Sequence, residues 1–479
     1  MFFNSLQYAL FLPFVFIIYW FLLKNDYKKQ NVMLLVASYV FYGCWDWRFL
    51  FLLAFSTLLC YMAGTYIHNA KRQVWRKTWL VVGTVVNLAF LGFFKYYNFF
   101  IESFAGLISA IGFTPHLTTL SIVLPVGISF YTFHGLSYVF DIYYRRITPT
   151  KSVVSYSLFV AFFPLLVAGP IERATHLLPQ IEKPRSFDYH KAIDGLRQIL
   201  WGLFKKVVIA DQCAMFADEI FNNSHMYSGS TLVVGALFFT MQIYGDFSGY
   251  SDIALGSARL LGFDLLKNFN FPYFSRDIAE FWRRWHISLS SWFKDYLYIP
   301  LGGSRRGMAI TIRNTFIIFL VSGFWHGANW TFIVWGGLHA LYIMPSVVTK
   351  RNRRHLDVVA QGKLLPSLSE TGQLVLTFAL AAFAWIFFRA SSMEHALNYI
   401  KGIFTARLFA VPQQYSLAIF VLVVVFIVIE WLGRENNYAI EAIGGKVKSR
   451  FLRWIFYYAV ALLVFLYSGG QQSFIYFQF

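Results

Sequence analysis

The strongest constraint on this chain is a succession of apolar runs, each close to bilayer length and set apart from the next by short polar or basic stretches. A helix needs roughly 20 apolar residues to cross about 30 Å of hydrocarbon. The runs fall near residues 6–23, 32–47, 49–67, 79–94, 119–143, 152–170, 196–217, 230–250, 310–325, 331–347, 372–389, 415–432 and 452–468. Several are short or interrupted, so the pattern predicts about 11 full spans with re-entrant and interfacial helices. The expected fold is all-α and polytopic, a single integral-membrane domain over residues 1–479. With 58% hydrophobic and only 13% charged residues, the chain has too little polar surface for a soluble protein. The first run has neither a basic leader nor a small-residue cleavage site, and reads as a retained span.

A formal charge of +18 invites a nucleic-acid reading, but the basic residues lie in short clusters between apolar runs rather than on one face. Lys24, Lys28 and Lys29, then Lys71, Arg72, Arg76 and Lys77, then Arg145, Arg146 and Lys151 mark alternate loops. Lys350, Arg351, Arg353 and Arg354, and Lys446, Lys448, Arg450 and Arg453, continue the pattern. By the positive-inside rule these loops are cytoplasmic, and both termini, including the tail Gly469 to Phe479, are extracytoplasmic. Cys44, Cys60 and Cys213 form no Cys-x-x-Cys pair and point to no redox or metal chemistry.

Two regions depart from ordinary spans. From Phe162 to Arg173, Pro164, Gly169 and Pro170 interrupt an apolar segment just before Glu172-Arg173, which predicts either a re-entrant element or a helix ending there. From Phe271 to Gly303, Trp282, Trp285, Leu289, Trp292, Phe293 and Tyr296 recur at spacings of three and four opposite Arg283, Arg284, Ser288, Ser291, Lys294 and Asp295. That is the pattern of one amphipathic helix at the membrane interface, with His286 at its apolar edge.

Polar groups at bilayer depth are expensive and mark candidate sites. His326 lies deep in the run from Ile310 to Ala340, with Ser322, Asn329 and Trp330 nearby and glycines on either side. Asp246, Ser248, Tyr250 and Asp252 close another run, and helical spacing puts Asp246 and Tyr250 on one face. They read as substrate-positioning groups or as a structural network with the arginines of the next segment. Neutral imidazole takes a proton from an alcohol and returns it to a leaving group near neutral pH. No Gly-x-Ser-x-Gly elbow occurs, which favours direct, histidine-guided acyl transfer over a serine nucleophile. A metal shared by His286, His326 and His339 is the competing reading, but no His-x-x-x-His or His-Glu-x-x-His spacing supports it. Gly302, Gly303, Arg305 and Arg306 suit a cradle for a phosphorylated donor, or else a cytoplasmic topology signal.

Tyr250-Ser-Asp252-Ile-Ala, Phe281-Trp-Arg-Arg-Trp-His286-Ile-Ser-Leu-Ser-Ser-Trp-Phe-Lys-Asp-Tyr-Leu-Tyr-Ile-Pro300-Leu-Gly-Gly and Ser322-Gly-Phe-Trp-His326-Gly resemble the membrane-bound O-acyltransferase family. The likeness spans nearly the whole chain and is densest from 242 to 339. It is nearest the family's bacterial alginate-acetylating branch, with the branch that D-alanylates teichoic acid more distant.

The resemblance implies a helical ring or funnel in the bacterial cytoplasmic membrane, with His326 as catalytic histidine and His286 as the second. Asp246, Ser248, Tyr250, Asp252, Trp282, Arg283, Trp285, Ser322, Trp325 and Asn329 support substrate. It further implies acetyl-coenzyme A as donor, no bound cofactor or metal, an exopolysaccharide or cell-wall polymer as acceptor, and an extracytoplasmic esterase-like partner protein. Gly245 stands where a bulkier residue is expected in this branch. The rival classes are a polymer or lipid transporter or channel, against which the absence of an inverted hydropathy repeat counts, and a membrane scaffold for an extracytoplasmic enzyme.

Overall fold

The computed structural model describes residues 1–479 except 25, 114–118, 168, 406, 471, 473 and 476–479, so the end of the expected extracytoplasmic tail lies outside the described residues. Among the described residues every regular element is helical. Six stretches among the described residues are long and apolar enough to cross a membrane: Tyr27–Asn69, Gln73–Ala110, Gly229–Leu260, Met308–His326, Trp330–Val348 and Leu368–Arg389. Leu6–Leu22 and Leu417–Gly433 are shorter apolar helices. This is a coarser division than the expected 11 spans, in part because the first two stretches, of 43 and 38 residues, each join more than one helix.

The chain forms two compact units, Met1–Ala192 with Ser257–Leu266, and Ile193–Gly256 with Lys267–Phe479. In the first, helix Ile128–Tyr143 is buried almost all round, as its mixture of aromatics and small residues allows. Leu6, Leu10, Phe14, Ile17 and Phe21, spaced by three and four, stay exposed along the first helix and give it a lipid-suited face. The Phe162–Arg173 region holds a four-residue helix, Phe163–Leu166, with Pro164 in its first turn, where a missing N–H costs nothing. Beyond it Glu172 is fully buried: its Oε1 accepts from the Leu266 amide at 2.5 Å and its Oε2 meets His176 Nδ1 at 2.9 Å.

The second unit is built on helix Gly229–Leu260, 32 residues long. Its glycines allow close packing. A Cβ on Gly245 would stand 2.9 Å from the Lys205 carbonyl oxygen and 3.2 Å from Ala210 Cβ. The expected bulkier residue is therefore excluded by the backbone of the neighbouring segment, Phe204–Ala210, which is wound as a π-helix. Helices Met308–His326 and Trp330–Val348 form a hairpin that pivots on two glycines. A Cβ on Gly323 would lie 2.2 Å from the Phe332 oxygen, and one on Gly336 would lie 2.2 Å from the Phe319 oxygen. Small residues at such a crossing let backbones touch and set the depth of everything that follows.

Candidate active site

His326 is the last residue of the 308–326 helix, three positions after the Gly323 contact, and is 2% exposed. Its ring is packed edge-on by Trp335 at 5.1 Å, Phe388 at 5.4 Å and Trp325 at 4.9 Å between centroids. These rings come from its own helix 308–326 and from helices 330–348 and 368–389, so the imidazole is held by three elements.

The expected single amphipathic helix around His286 is not what forms. The segment splits into Ile278–Arg284 and Ile287–Phe293, and the break falls at His286, whose φ of 42° and ψ of 54° are left-handed. Non-glycine residues pay on the order of 1–3 kcal/mol for that conformation, which persists only where the surroundings over-determine it. Here the Ile287 amide donates to the Asn268 carbonyl and the Asn270 amide to the Arg284 carbonyl, each at 2.9 Å. The twist turns the imidazole inward, where it is fully buried. Nor does the aromatic face lie open: Trp285 is fully buried and Trp282 nearly so.

The two histidines, 40 residues apart in sequence, meet with ring centroids 6.4 Å apart. Trp325 packs on both, 6.0 Å from His286. His339 is not part of the pair: its ring lies 5.0 Å from Trp335, and its Nδ1 accepts from Trp282 Nε1 at 3.2 Å. No group of three metal-ligating side chains occurs among the described residues, so the three-histidine metal reading finds no geometry.

The other expected site residues divide sharply. Trp325 lies at the pair, Ser322 is buried one turn before His326, and Trp285 reaches the pair through Phe269. Asp246, Tyr250 and Asp252 line up on the 229–260 helix, but their charge partners are not the downstream arginines. Asp246 and Asp211 share Lys206 at 2.7 Å each, and Asp252 takes Lys205 at 2.5 Å and Gln198 at 2.8 Å. Ser248 returns its hydroxyl to the Tyr244 carbonyl one turn back. Arg283 donates to the carbonyls of Asn352 and His355, pinning a loop. Asn329 caps the 330–348 helix through the Thr331 amide and donates to the Ser391 carbonyl.

The expected phosphate cradle is also altered. The amides of Gly302, Gly303 and Arg305 already donate to Ile299, Tyr298 and Gly302 carbonyls, while the Arg305 and Arg306 side chains are exposed. Elsewhere in this unit, buried Arg276 bridges Glu280 and Asp357, each at 3.0 Å, and its guanidinium holds the Asp357 carboxyl below the usual carboxylate range.

Several buried residues around the 244–252 stretch and His286 escaped the sequence reading. Lys205, Lys206 and Asp211 sit within the apolar run 196–217 and Glu430 within 415–432, and ionisable groups at that depth were a usable signal. Glu430 accepts from Trp201 Nε1 at 2.9 Å and from Tyr244 Oη at 2.6 Å. Phe474 of the tail packs 4.4 Å from Tyr250, and the Ile475 amide donates to Asp246. Asn268, one of the groups that holds His286, carried no signal at all: it is an ordinary amide in a coil.

Comparison with known proteins gives the family. The sequence profile of the membrane-bound O-acyltransferase family matches residues 144–368, a window that holds both histidines. The probable alginate O-acetylase AlgI of Pseudomonas aeruginosa is 42% identical over 83% of this chain and 73% of its own length. The chain belongs to the membrane-bound O-acyltransferase family. It is thus an acyltransferase and a multi-pass membrane protein. Other relatives in the family are the probable alginate O-acetylase AlgI of Azotobacter vinelandii, 39% identical over 92% of this chain and 86% of the relative, and the peptidoglycan O-acetyltransferase of Helicobacter pylori, 37% identical over 82% and 77%.

Proposed function

We propose that this membrane-bound O-acyltransferase passes an acetyl group from a cytoplasmic thioester donor, acetyl-coenzyme A, toward a hydroxyl of an extracytoplasmic polysaccharide. The single observation that carries the reading is the meeting of His286 and His326, from separate motifs, in one buried aromatic pocket. Relatives named for alginate and for peptidoglycan acetylation support a polymer acceptor.

In this reading a hydroxyl oxygen bonds to the thioester carbonyl carbon and the carbon–sulfur bond breaks. An imidazole takes the hydroxyl proton and delivers it to the departing thiolate, so that no free alkoxide or thiolate forms. His326 is the proton acceptor or orients the acyl carbonyl, and His286 assists in proton transfer. The surrounding rings exclude water, which would otherwise hydrolyse the thioester. Both termini lie outside, the crossings number about 11, with re-entrant and interfacial helices, and an extracytoplasmic esterase-like partner completes transfer to the polymer. Exposed Arg305 and Arg306 meet the donor's phosphates on the cytoplasmic side.

The test is acetyl content of the surface polymer in a deletion strain carrying wild-type or His326→Ala protein at equal membrane levels. Loss of acetyl ester with the variant is expected; wild-type acetylation would overturn the reading.

A further inference from the structure

We propose that Asn268 is the positioning residue of this site: its side-chain oxygen holds the proton on His286 Nδ1 and thereby keeps the lone pair on Nε2. The proposal rests on the acyl-transfer reading above, and adds to it which imidazole nitrogen works and what sets it.

His286 Nδ1 lies 2.9 Å from Asn268 Oδ1. An amide oxygen accepts and has no proton to give, so the shared proton belongs to the imidazole. A neutral imidazole carries one proton, and Nε2 is then unprotonated. The amide is itself braced. Ser288 donates its hydroxyl to the same oxygen at 2.9 Å, and the Asn268 NH₂ donates to Ser251 Oγ on the 229–260 helix at 3.2 Å. The backbone carbonyl of Asn268 takes the Ile287 amide, the bond that supports the left-handed turn at His286. One buried side chain, 1% exposed, thus fixes both the rotation and the tautomer of the ring.

Nε2 is buried with no hydrogen-bond partner among the described residues. Buried polar atoms rarely stay unpaired unless a site requires it. Phe247 from the 229–260 helix, Phe269, and Trp325 and His326 from the 308–326 helix surround the ring, and of these only His326 titrates. Neighbouring Lys267 is directed to Asn270 Oδ1 and the Asn436 carbonyl. Among the described residues no carboxylate contacts His286, so an amide does the work that a carboxylate does in many histidine sites, without making the ring more basic.

The experiment compares Asn268→Ala, Asn268→Asp and His286→Ala enzymes in native membranes, measuring kcat, KM for the thioester donor and the pH profile of kcat. Asn268→Ala is expected to lower kcat by about 10- to 100-fold, with KM changed by less than about two-fold. Asn268→Asp still accepts from Nδ1 and is expected to retain activity. Its carboxylate favours the imidazolium, so the acidic limb of the profile moves to higher pH. A second readout needs no Asn268 variant: ¹⁵N-histidine spectra of the wild-type protein, with His286 assigned by its loss in His286→Gln, should show a protonated Nδ1 and a bare Nε2. Wild-type kcat in Asn268→Ala while His286→Ala is inactive would overturn the positioning role, as would an Nε2–H signal. Wild-type activity in His286→Ala would instead bring down the part of the catalytic reading that assigns His286, and the positioning role with it.

Discussion

Gly323→Ala and Gly336→Ala test whether the hairpin crossing sets the catalytic geometry. Each new methyl would stand 2.2 Å from a carbonyl oxygen of the facing helix, Phe332 for one and Phe319 for the other. Ordinary van der Waals contact begins near 3.4 Å, so the helices must part by about 1 Å. His326 follows Gly323 by less than one turn and cannot stay in place while that crossing opens. A misplacement of about 1 Å costs on the order of 100-fold in rate when reacting groups must meet, and overpacking costs roughly 1–3 kcal/mol in stability. Gly337→Ala is the internal control, because a Cβ there meets only Leu320 Cδ2 at 3.8 Å. The assay is acetyl transfer per unit of protein in membranes, with thermal unfolding followed in detergent. Wild-type turnover in Gly323→Ala and Gly336→Ala, or an equal loss in Gly337→Ala, would refute the reasoning.

Other substitutions separate structure from chemistry. Asn329→Ala removes the cap on the 330–348 helix and should cost about 1 kcal/mol of stability, read by thermal unfolding, while kcat stays near wild type. Asp357 has its carboxyl pKa lowered in the folded state by Arg276, so its contribution to stability is present above the unfolded value of about 3.9 and is lost as pH falls through the folded value. Asp357→Asn should therefore flatten the acid side of the unfolding-temperature profile. His176 is shifted the other way: its bond to buried Glu172 raises its pKa, so stability from the pair is present below about pH 6.5 and is lost as pH rises through the folded value. His176→Ala should remove that decline in a pH series of melting curves.

Much of the architecture was legible because bilayer-length apolar runs leave few alternatives to helices, and most of the stretches able to cross coincide with those runs. Both histidines were legible for the same physical reason, since each interrupts or borders an apolar pattern. The break at His286 was not. A three-and-four periodicity continues across Trp282 to Tyr296, and only tertiary bonds from 268 and 270 force the left-handed residue that divides it. The partners of Asp246 and Asp252 were missed because Lys205 and Lys206 lie some 40 residues upstream, and spacing rules see only one or two helical turns. The resemblance implied that Asn329 and Arg283 support substrate; the hydrogen bonds that spacing could not show run to a helix cap and to loop carbonyls.

The most direct measurement is transfer of labelled acetyl from acetyl-coenzyme A to a hydroxyl acceptor by the purified protein, with any partner it requires, reconstituted in liposomes. His326→Ala and His286→Ala are compared with wild type at matched protein amounts. The account predicts that His326→Ala loses at least about 100-fold in kcat, the ordinary worth of a general base, and that His286→Ala is also severely impaired. Wild-type turnover by the His326→Ala protein would contradict it.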